Sequence, residues 1–342
     1  MFNHITLEKM AVFHQLDWPQ HQRINLIIGE NDTGKTHLLK ILYCLARSLE
    51  EYNKTDKRPP RSWQEILANK LLWTFQPPDW RLNQLIEKGQ QWLKVAARFD
   101  KQNIHFVLQE KTTTIAEISE LTDLLFPEFN TLFIPPKEIL TAFDAIAATR
   151  EQLEIAGFDD CYFDLIKALR LPITRGEIQD NWQQILKKLD NLMIDGQIRF
   201  DKQRFIFKRG NTQYAMSETA EGIKKLAIFN LLIRNRKIKN GTIIFIDEPE
   251  VNLHPKAIVG LVEMLFHAAR AGIQIYIATH SYFVLKRFEL LARQYDEKIP
   301  VCSLSRTQTA DFYDLRDGMP PNPIIDVSIE LYEQDVKLDI EL

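Results

Sequence analysis

The stretch GENDTGKT, residues 29–36, constrains this chain more than any other. It fits G-x-x-x-x-G-K-[ST], the pattern of the phosphate-binding loop, in which backbone N–H groups surround a phosphate. The apolar run at 24–28 predicts a buried strand before the loop, and a leucine stripe after it predicts a helix over 35–50. A loop between a strand and a helix N-terminus is an anion site, because the helix dipole favours negative charge there.

Nucleotide binding at this loop follows from the chemistry of its side chains. Lys35 is expected to reach the β- and γ-phosphates, and the Thr36 hydroxyl is expected to bind Mg²⁺. ATP and Mg²⁺ are therefore the expected cofactors. An adenine ring could stack on Phe13 or Trp18, although aromatic residues in such positions more often belong to the core. The residues expected to contact the nucleotide are Gly29, Glu30, Asn31, Asp32, Thr33, Gly34, Lys35, Thr36 and His37.

Composition excludes several classes of protein. The 342 residues are 45% hydrophobic and 26% charged, which leaves room for a large core. The net charge is −3, so no overall excess of basic residues argues for binding to nucleic acid or to a membrane surface. The three cysteines are far apart and predict buried thiols in a reducing compartment, not disulfides or a zinc site. No apolar run approaches the ~18 residues of a membrane span, and the N-terminus lacks a signal-peptide core. We expect a cytoplasmic protein without a membrane partner.

A second constellation follows two further apolar strands. The strand predicted at 242–246 ends in Asp247 and Glu248, and ligands of parallel sheets bind at the carboxyl ends of the strands. Asp247 is therefore expected to hold Mg²⁺ with Thr36, and Glu248 to orient or deprotonate the attacking water. His280 follows the strand at 273–278 and could reach the γ-phosphate. The alternative for Asp247 and Glu248 is an acidic turn at a strand end. The alternative for His280 is a solvent-facing or capping histidine.

The rest of the chain alternates between helical and strand-like patterns. Proline pairs and polar stretches separate these segments, and the final strand–helix–strand–helix order favours a parallel sheet covered on both faces. The acidic tail after residue 323 fits either a docking helix or an added strand. The predicted strands lie at 2–16 (one or a pair), 92–109 (two), 130–136, 194–216 (three short ones) and 299–315 (two); the predicted helices lie at 63–91, 137–193, 218–236 (capped by Ser217 or Thr219), 255–271 and 281–293.

At this point the chain resembles a known family. GENDTGKT, IDEPEVNLHP and IATHS are similar to the motifs of the ABC-type ATPases of the SMC, RecF and OLD branch, and EPExxLHP is the most branch-specific part. The resemblance implies that Asp247 and Glu248 are the Walker B pair, with Glu248 catalytic, and that His280 is the switch histidine. It also implies that the loop at 252–254 touches an opposing subunit. The resemblance covers 1–50 and 195–290 well and 51–194 only by architecture.

The implied fold is an α/β P-loop NTPase of the ABC-ATPase type, with a mainly parallel sheet, an antiparallel β lobe and a helical insertion. Lys35 and Asp247 lie 212 residues apart, which leaves room for both insertions. We expect a single ATPase domain over 1–342. Within it, we expect helices and then the β lobe over 51–136, the helical insertion over 137–193, and the signature helix, Walker B and switch segment over 194–342.

Two elements depart from the family pattern. The candidate signature motif is SETAEGIKKLA, residues 217–227, with Gly222 at the position of the motif's glycine. Ala220 then replaces the serine that would contact a partner's γ-phosphate, unless Ser217 serves from a slipped register; Lys224 or Lys225 could supply charge instead. The glutamine loop has no glutamine at its expected position, where Lys137 or Glu138 stands. Both departures weaken an expectation of fast hydrolysis more than one of ATP binding.

The leading hypothesis from the resemblance is an ATPase that forms a homodimer or higher oligomer around ATP. It would act as a switch for a separately encoded effector such as a nuclease, in bacterial anti-phage defence or DNA maintenance, with nucleic acid as a further partner. The sequence after Ser281 is too short for the Toprim nuclease domain of OLD-type proteins. The alternatives are a nucleotide-gated scaffold that hydrolyses little ATP and cages a partner protein, and, more weakly, a transporter cassette.

Overall fold

The computed structural model describes residues 1–54, 62–121, 127–193, 196–201, 204–306 and 309–341, and it confirms the expected α/β class. The sequence also predicts an exposed loop with a small basic cluster over 51–62; residues 51–54 instead end α1, and Lys57, Arg58 and Arg61 of the cluster lie outside the described residues. The strands are β1 (Phe2–Met10), β2 (Phe13–Pro19), β3 (Ile24–Gly29), β4 (Trp92–Phe99), β5 (Gln102–Gln109), β6 (Ile115–Ile118), β7 (Thr131–Ile134), β8 (Gln197–Asp201), β9 (Arg204–Arg209), β10 (Thr212–Ala215), β11 (Ile243–Asp247), β12 (Gln274–Ala278), β13 (Pro300–Leu304) and β14 (Ala310–Asp314). The helices are α1 (Lys35–Lys54), α2 (Trp63–Phe75), α3 (Phe143–Glu151), α4 (Asp160–Leu169), α5 (Asp180–Leu192), α6 (Glu221–Arg234), α7 (Pro255–Arg270), α8 (Tyr282–Tyr295) and α9 (Pro323–Glu341).

A six-stranded sheet forms the centre, in the order β14-β13-β3-β12-β11-β7. Its strands are parallel except β14, which pairs antiparallel with β13 at one edge. Ala278 of β12 lies opposite both Ile27 of β3 and Asp247 of β11, so these three strands end at the same edge of the sheet. The fold therefore brings together the two motifs that the sequence separates by about 210 residues.

Two antiparallel sheets flank this core. The five-stranded sheet β2-β1-β4-β5-β6 joins the N-terminal strands β1 and β2 to three strands of the 51–136 segment, whereas β7 of that segment belongs to the central sheet, and α1 packs between the two sheets. The sheet β10-β9-β8 packs on the helical insertion, where Phe143 of α3 contacts Phe200 and Phe205. Phe13 and Trp18 are buried in the β-lobe core, so the core interpretation of these aromatic residues is the one the structure supports.

Two further local predictions need correction. The helix expected over 63–91 ends at Phe75 and is followed by 3₁₀ turns at 78–80 and 82–85, because Pro77 and Pro78 cannot continue a helix. Helix α6 begins at Glu221 with Ala220 as its N-cap, and the Thr219 hydroxyl donates to the Ala215 carbonyl instead of capping α6. Of the two alternatives that the sequence leaves open for the tail, the structure has the helix, α9.

The predicted buried thiols are confirmed, since Cys44, Cys161 and Cys302 are free and buried. Among the described residues, no helix has the length and apolar character needed to cross a bilayer. Helix α9 carries exposed large apolar side chains, namely Val327, Ile329, Leu331, Tyr332 and Leu338.

A buried ion network ties the helix after the phosphate loop to the helical insertion. The Lys70 ammonium of α2 lies 2.7 Å from Asp160 Oδ2 and 2.8 Å from Asp164 Oδ2, both on α4. Asp164 also accepts the Tyr43 hydroxyl of α1 and lies 3.4 Å from Arg47 Nε. Burial makes such a network costly to break, because removing one partner leaves a desolvated charge.

Lys70→Met is therefore expected to lower the free energy of unfolding by about 3–5 kcal/mol, measured by urea denaturation. The matched control is Lys239→Met, because Lys239 forms an exposed pair with Glu128 at 2.8 Å. That pair is worth at most about 1 kcal/mol. Equal effects of the two substitutions would show that the buried network is not required for stability.

Candidate functional site

Packing on both sides fixes the backbone of the phosphate loop. Gly29 has φ +145°, and a Cβ there would clash with the Leu304 carbonyl and lie 2.8 Å from Thr33 Oγ1. Gly34 has φ +94°, and a Cβ there would lie 2.5 Å from Val12 Cγ2 and 2.7 Å from the Phe13 ring. Both positions therefore require glycine by conformation and by space. The loop is held between the end of β13 and the turn that joins β1 to β2.

The Lys35 ammonium is buried inside the loop. Lys35 Nζ donates to the carbonyls of Gly29 at 2.8 Å and Glu30 at 2.6 Å. Burial lowers the pKa of Lys35, and the carboxylates of Glu248 and Asp247 oppose that shift. The cation is thus enclosed by the loop and interacts electrostatically with Asp247 at the end of β11 and with Glu248 after it. Of the other predicted nucleotide contacts, Thr33 is buried, whereas Glu30, Asn31, Asp32 and His37 are exposed.

The side chains of Thr36 and Asp247 are in contact, as expected for an acid at the end of a strand beside the phosphate loop. Thr36 Oγ1 donates to Asp247 Oδ2 at 2.8 Å. Burial raises the pKa of Asp247 to about 6, and the hydrogen bond from Thr36 opposes that shift. A hydroxyl and a carboxylate oxygen side by side, next to a phosphate loop, suit Mg²⁺, which takes oxygen ligands and completes its shell with phosphate and water. These residues therefore fit the expected ion.

Glu248 and His280 lie together at the same edge of the sheet. His280 Nδ1 is 3.4 Å from Glu248 Oε1, and both side chains are partly exposed, at 45% and 30%. Glu248 adopts φ +49°, in the left-handed region, which costs a non-glycine residue about 1 kcal/mol or more. Its N–H donates to the Ala278 carbonyl at 2.9 Å, so β12 holds the turn that presents its carboxylate.

Sequence reasoning missed Glu250 and Thr279. Glu250 Oε1 accepts hydrogen bonds from Thr279 Oγ1 at 2.8 Å and from the His280 N–H at 3.1 Å. The carboxylate of the second glutamate in Glu-Pro-Glu thus holds the segment that carries His280. An acid two residues after Glu248, opposite a hydroxyl that precedes the histidine, was the signal available in the sequence.

The first turn of α6 lies against residues 252 and 253, in the loop between β11 and α7 of its own subunit. A Cβ at Gly222 would lie 3.1 Å from the Asn252 carbonyl and 3.1 Å from Leu253 Cδ2, so the glycine permits close packing there. Ala220 makes no side-chain cap, and Ser217 is exposed in the preceding 3₁₀ turn. Asn252 and His254 are exposed, on the loop that the resemblance assigns to an opposing subunit.

The two lysines of α6 point into their own subunit. Lys224 Nζ donates to Thr141 Oγ1 and to Glu221 Oε1, each at 2.8 Å, and the side chain is buried. Lys225 Nζ donates to the Glu248 carbonyl at 2.7 Å, and burial lowers the pKa of Lys225 to about 8. Neither ammonium lies on the surface, which argues against the expectation that Lys224 or Lys225 supplies charge to a partner's nucleotide.

The segment at the glutamine-loop position follows β7. The Glu138 carboxylate accepts the backbone N–H groups of Leu140 and Thr141 and lies 3.7 Å from Lys224 Nζ. Lys137 is exposed. Glu138 is therefore engaged in shaping its own turn, and of the two residues only Lys137 has an exposed side chain.

Comparisons with known proteins identify the family of the chain. Residues 89–286, more than half of the chain, match the family described as "AAA domain, putative AbiEii toxin, Type IV TA system". A 47-residue stretch is 49% identical to the Old nuclease of Escherichia phage P2. That match covers 14% of this chain and only 8% of the nuclease.

The fold is similar to solved SMC heads. The SMC head bound to the C-winged helix domain of ScpA aligns with a TM-score of 0.52 at 11% identity, covering 92% of this chain and 97% of that one. The SMC head domain from Thermotoga maritima aligns at 0.44 and 12% identity, covering 92% and 98%. The chain belongs to the AAA family matched over 89–286, and it has the fold of the ABC-type ATPases of the SMC, RecF and OLD branch.

Proposed function

We propose that this protein is an ATP-hydrolysing switch that dimerises around ATP and controls a separately encoded effector. One observation carries the proposal: the Thr36–Asp247 hydrogen bond of 2.8 Å joins the phosphate loop to the Walker B strand. Glu248 and His280 lie at the same edge, 3.4 Å apart. A phosphate site, a metal site and a carboxylate next to a histidine together support nucleotide hydrolysis.

Each side chain has a distinct role in this proposal. Lys35 exchanges its bonds to the loop carbonyls for bonds to the β- and γ-phosphates of ATP. Thr36 and Asp247 would hold Mg²⁺, which would neutralise phosphate charge. Glu248 orients and deprotonates the attacking water, and His280, placed by Glu250, donates to the γ-phosphate. The products are ADP and phosphate.

Dimerisation closes the exposed side of the site. The side chains of Glu248 and His280 are partly exposed, so water reaches them in one subunit. In the proposal, the segment from Ser217 to Gly222 of a second subunit covers the γ-phosphate. This segment runs from the 3₁₀ turn before α6 through the first two residues of α6. A helix N-terminus favours that negative charge. The loop at 252–254 would lie in the same interface.

The effector and the biological setting rest on family association. The matched family is described as a putative toxin of a type IV toxin–antitoxin system, and the short stretch of 49% identity is to a phage nuclease. These names support the proposed role in phage defence or DNA maintenance with a nuclease as effector.

A second function is favoured by one observation. Ala220 stands where the family has a serine, and it gives α6 no side-chain cap. A site without that hydroxyl would bind ATP and dimerise but turn over slowly. The protein would then be a nucleotide-gated scaffold that cages a partner.

Mixing two inactive variants tests the composite site. Gly222→Asp adds a negative charge to the segment that would cover the partner's γ-phosphate, so we expect ATP binding without hydrolysis. Lys35→Ala removes ATP binding. A mixture of the two contains heterodimers with one intact composite site, and we expect up to half of the wild-type activity per heterodimer, measured as phosphate release.

The control is Gly222→Ala, because its Cβ meets the same Asn252 carbonyl at 3.1 Å without adding charge. A loss of activity in Gly222→Ala equal to that in Gly222→Asp would assign the effect to packing within one subunit. If Gly222→Asp alone hydrolyses ATP normally, α6 does not contact a partner's nucleotide and the scaffold reading gains.

A further inference from the structure

Lys225 connects the signature helix to the catalytic turn within one subunit. It lies in the second turn of α6, and its side chain is buried. Its ammonium donates to the Glu248 carbonyl at 2.7 Å and approaches the Val251 carbonyl at 3.5 Å. Both acceptors belong to the turn that follows β11. The side chain thus links two elements of one subunit that act at different sites in the proposed dimer. Helix α6 would contact the partner's nucleotide, and Glu248 would act on the nucleotide of its own subunit.

The turn that Lys225 contacts is strained. Glu248 has φ +49°, and Asn252, four residues later, has φ +65°. Such conformations persist only where surrounding contacts fix them. On one side the Glu248 N–H is held by the Ala278 carbonyl. On the other side the Glu248 carbonyl is held by Lys225, so the Glu248 backbone is bonded from β12 and from α6.

Glu250 is a further acidic residue of the turn that Lys225 contacts. The Glu250 side chain is 9% exposed, and its Oε1 holds Thr279 and the His280 backbone. Its Oε2 is buried and has no hydrogen-bond partner among the described residues. The carboxylates of Glu250 and Glu248 stabilise the buried charge of Lys225. The cation and Glu250 therefore belong to one polar cluster beneath the catalytic pair.

We propose that Lys225 is a positioning residue that sets the Glu248 turn and transmits the position of α6 to it. The inference rests on the proposed role of Glu248 in hydrolysis. When α6 engages a partner's nucleotide, any displacement of its first two turns moves the Lys225 ammonium. That movement shifts the Glu248 carbonyl, so each subunit's own catalytic turn responds to the nucleotide held by its partner.

The packing of α6 supports this route. Gly222, one turn before Lys225, allows α6 to approach the Asn252 carbonyl and Leu253 closely. The loop at 248–253 is thus held by a hydrogen bond at one point and by packing at another. Lys224 does not share this role, because it is bonded to Thr141 and Glu221.

The test compares three substitutions at Lys225. Lys225→Met and Lys225→Gln remove the ammonium, and Lys225→Arg retains a cationic donor. The control is Arg234→Met, at the far end of α6, where Arg234 pairs with Asp190 at 3.2 Å. We expect Met and Gln to lower kcat roughly tenfold with MgATP affinity within about threefold of wild type. Lys225→Arg should keep most of the wild-type kcat, and the control Arg234→Met should leave kcat unchanged.

A second measurement reads the contact without turnover. Amide hydrogen exchange of the peptide spanning 248–253, without nucleotide, should be faster in Lys225→Met and Lys225→Gln than in wild type. It should stay at the wild-type rate in the control. Unchanged exchange in both variants, or an Arg variant as slow in turnover as the Met variant, would overturn the positioning role. An inactive wild type would instead contradict the proposed function, and the exchange data would still decide the role of Lys225.

Discussion

Glu248→Gln is expected to bind ATP and to hydrolyse it roughly 100-fold or more slowly than wild type. Glutamine keeps the shape of the side chain and leaves the Thr36–Asp247 pair intact, but it cannot accept a proton from water. Phosphate release under saturating MgATP measures the effect.

The matched control for this substitution is Glu263→Gln. Glu263 pairs with Arg287 on the neighbouring helix, 2.7 Å away, and has no part in the proposed site. Its turnover should equal that of wild type. If the Glu248 variant turns over at the wild-type rate, another residue activates the water, and the assignment of Glu248 is wrong.

Lys35→Ala is expected to abolish ATP binding at micromolar to millimolar concentrations. Its ammonium is the cation that the loop encloses, with bonds of 2.6–2.8 Å to two loop carbonyls that phosphate oxygens would replace. Titration calorimetry with MgATP measures the loss.

Thermal unfolding without nucleotide accompanies this test, because the substitution also removes the Lys35 hydrogen bonds to the carbonyls of Gly29 and Glu30, of which the Glu30 carbonyl keeps the bond from the Thr33 hydroxyl. A folded variant that binds ATP with unchanged affinity would contradict the assignment of the phosphate loop. A surface substitution such as Lys239→Ala should alter neither binding nor unfolding.

The elements of the ATPase core could be predicted from the sequence because their signals are local. A buried apolar strand followed by a glycine loop, or by two acids, has few other interpretations, and the fold places Thr36 and Asp247 in contact as expected. The family and the fold inferred from these motifs are confirmed by the match over 89–286 and by the SMC head fold.

What the sequence left open depends on tertiary contacts. Lys224 and Lys225 are adjacent cations on one helix, and nothing local indicates that one binds Thr141 while the other binds the Glu248 carbonyl. The role of Glu250 depends on Thr279, which follows β12 and is distant in sequence. The start of α6 at Glu221 is set by its packing against the loop at 252–253, since Ala220 has no capping side chain.

Sedimentation velocity of Glu248→Gln, with and without MgATP, tests the central claim most directly. Blocked hydrolysis should trap the closed state, so we predict that saturating MgATP converts the protein to a dimer and that the dimer is lost when Lys35→Ala is added to the same chain. A single species of unchanged mass at ATP concentrations where calorimetry shows full binding would contradict a switch that dimerises around ATP.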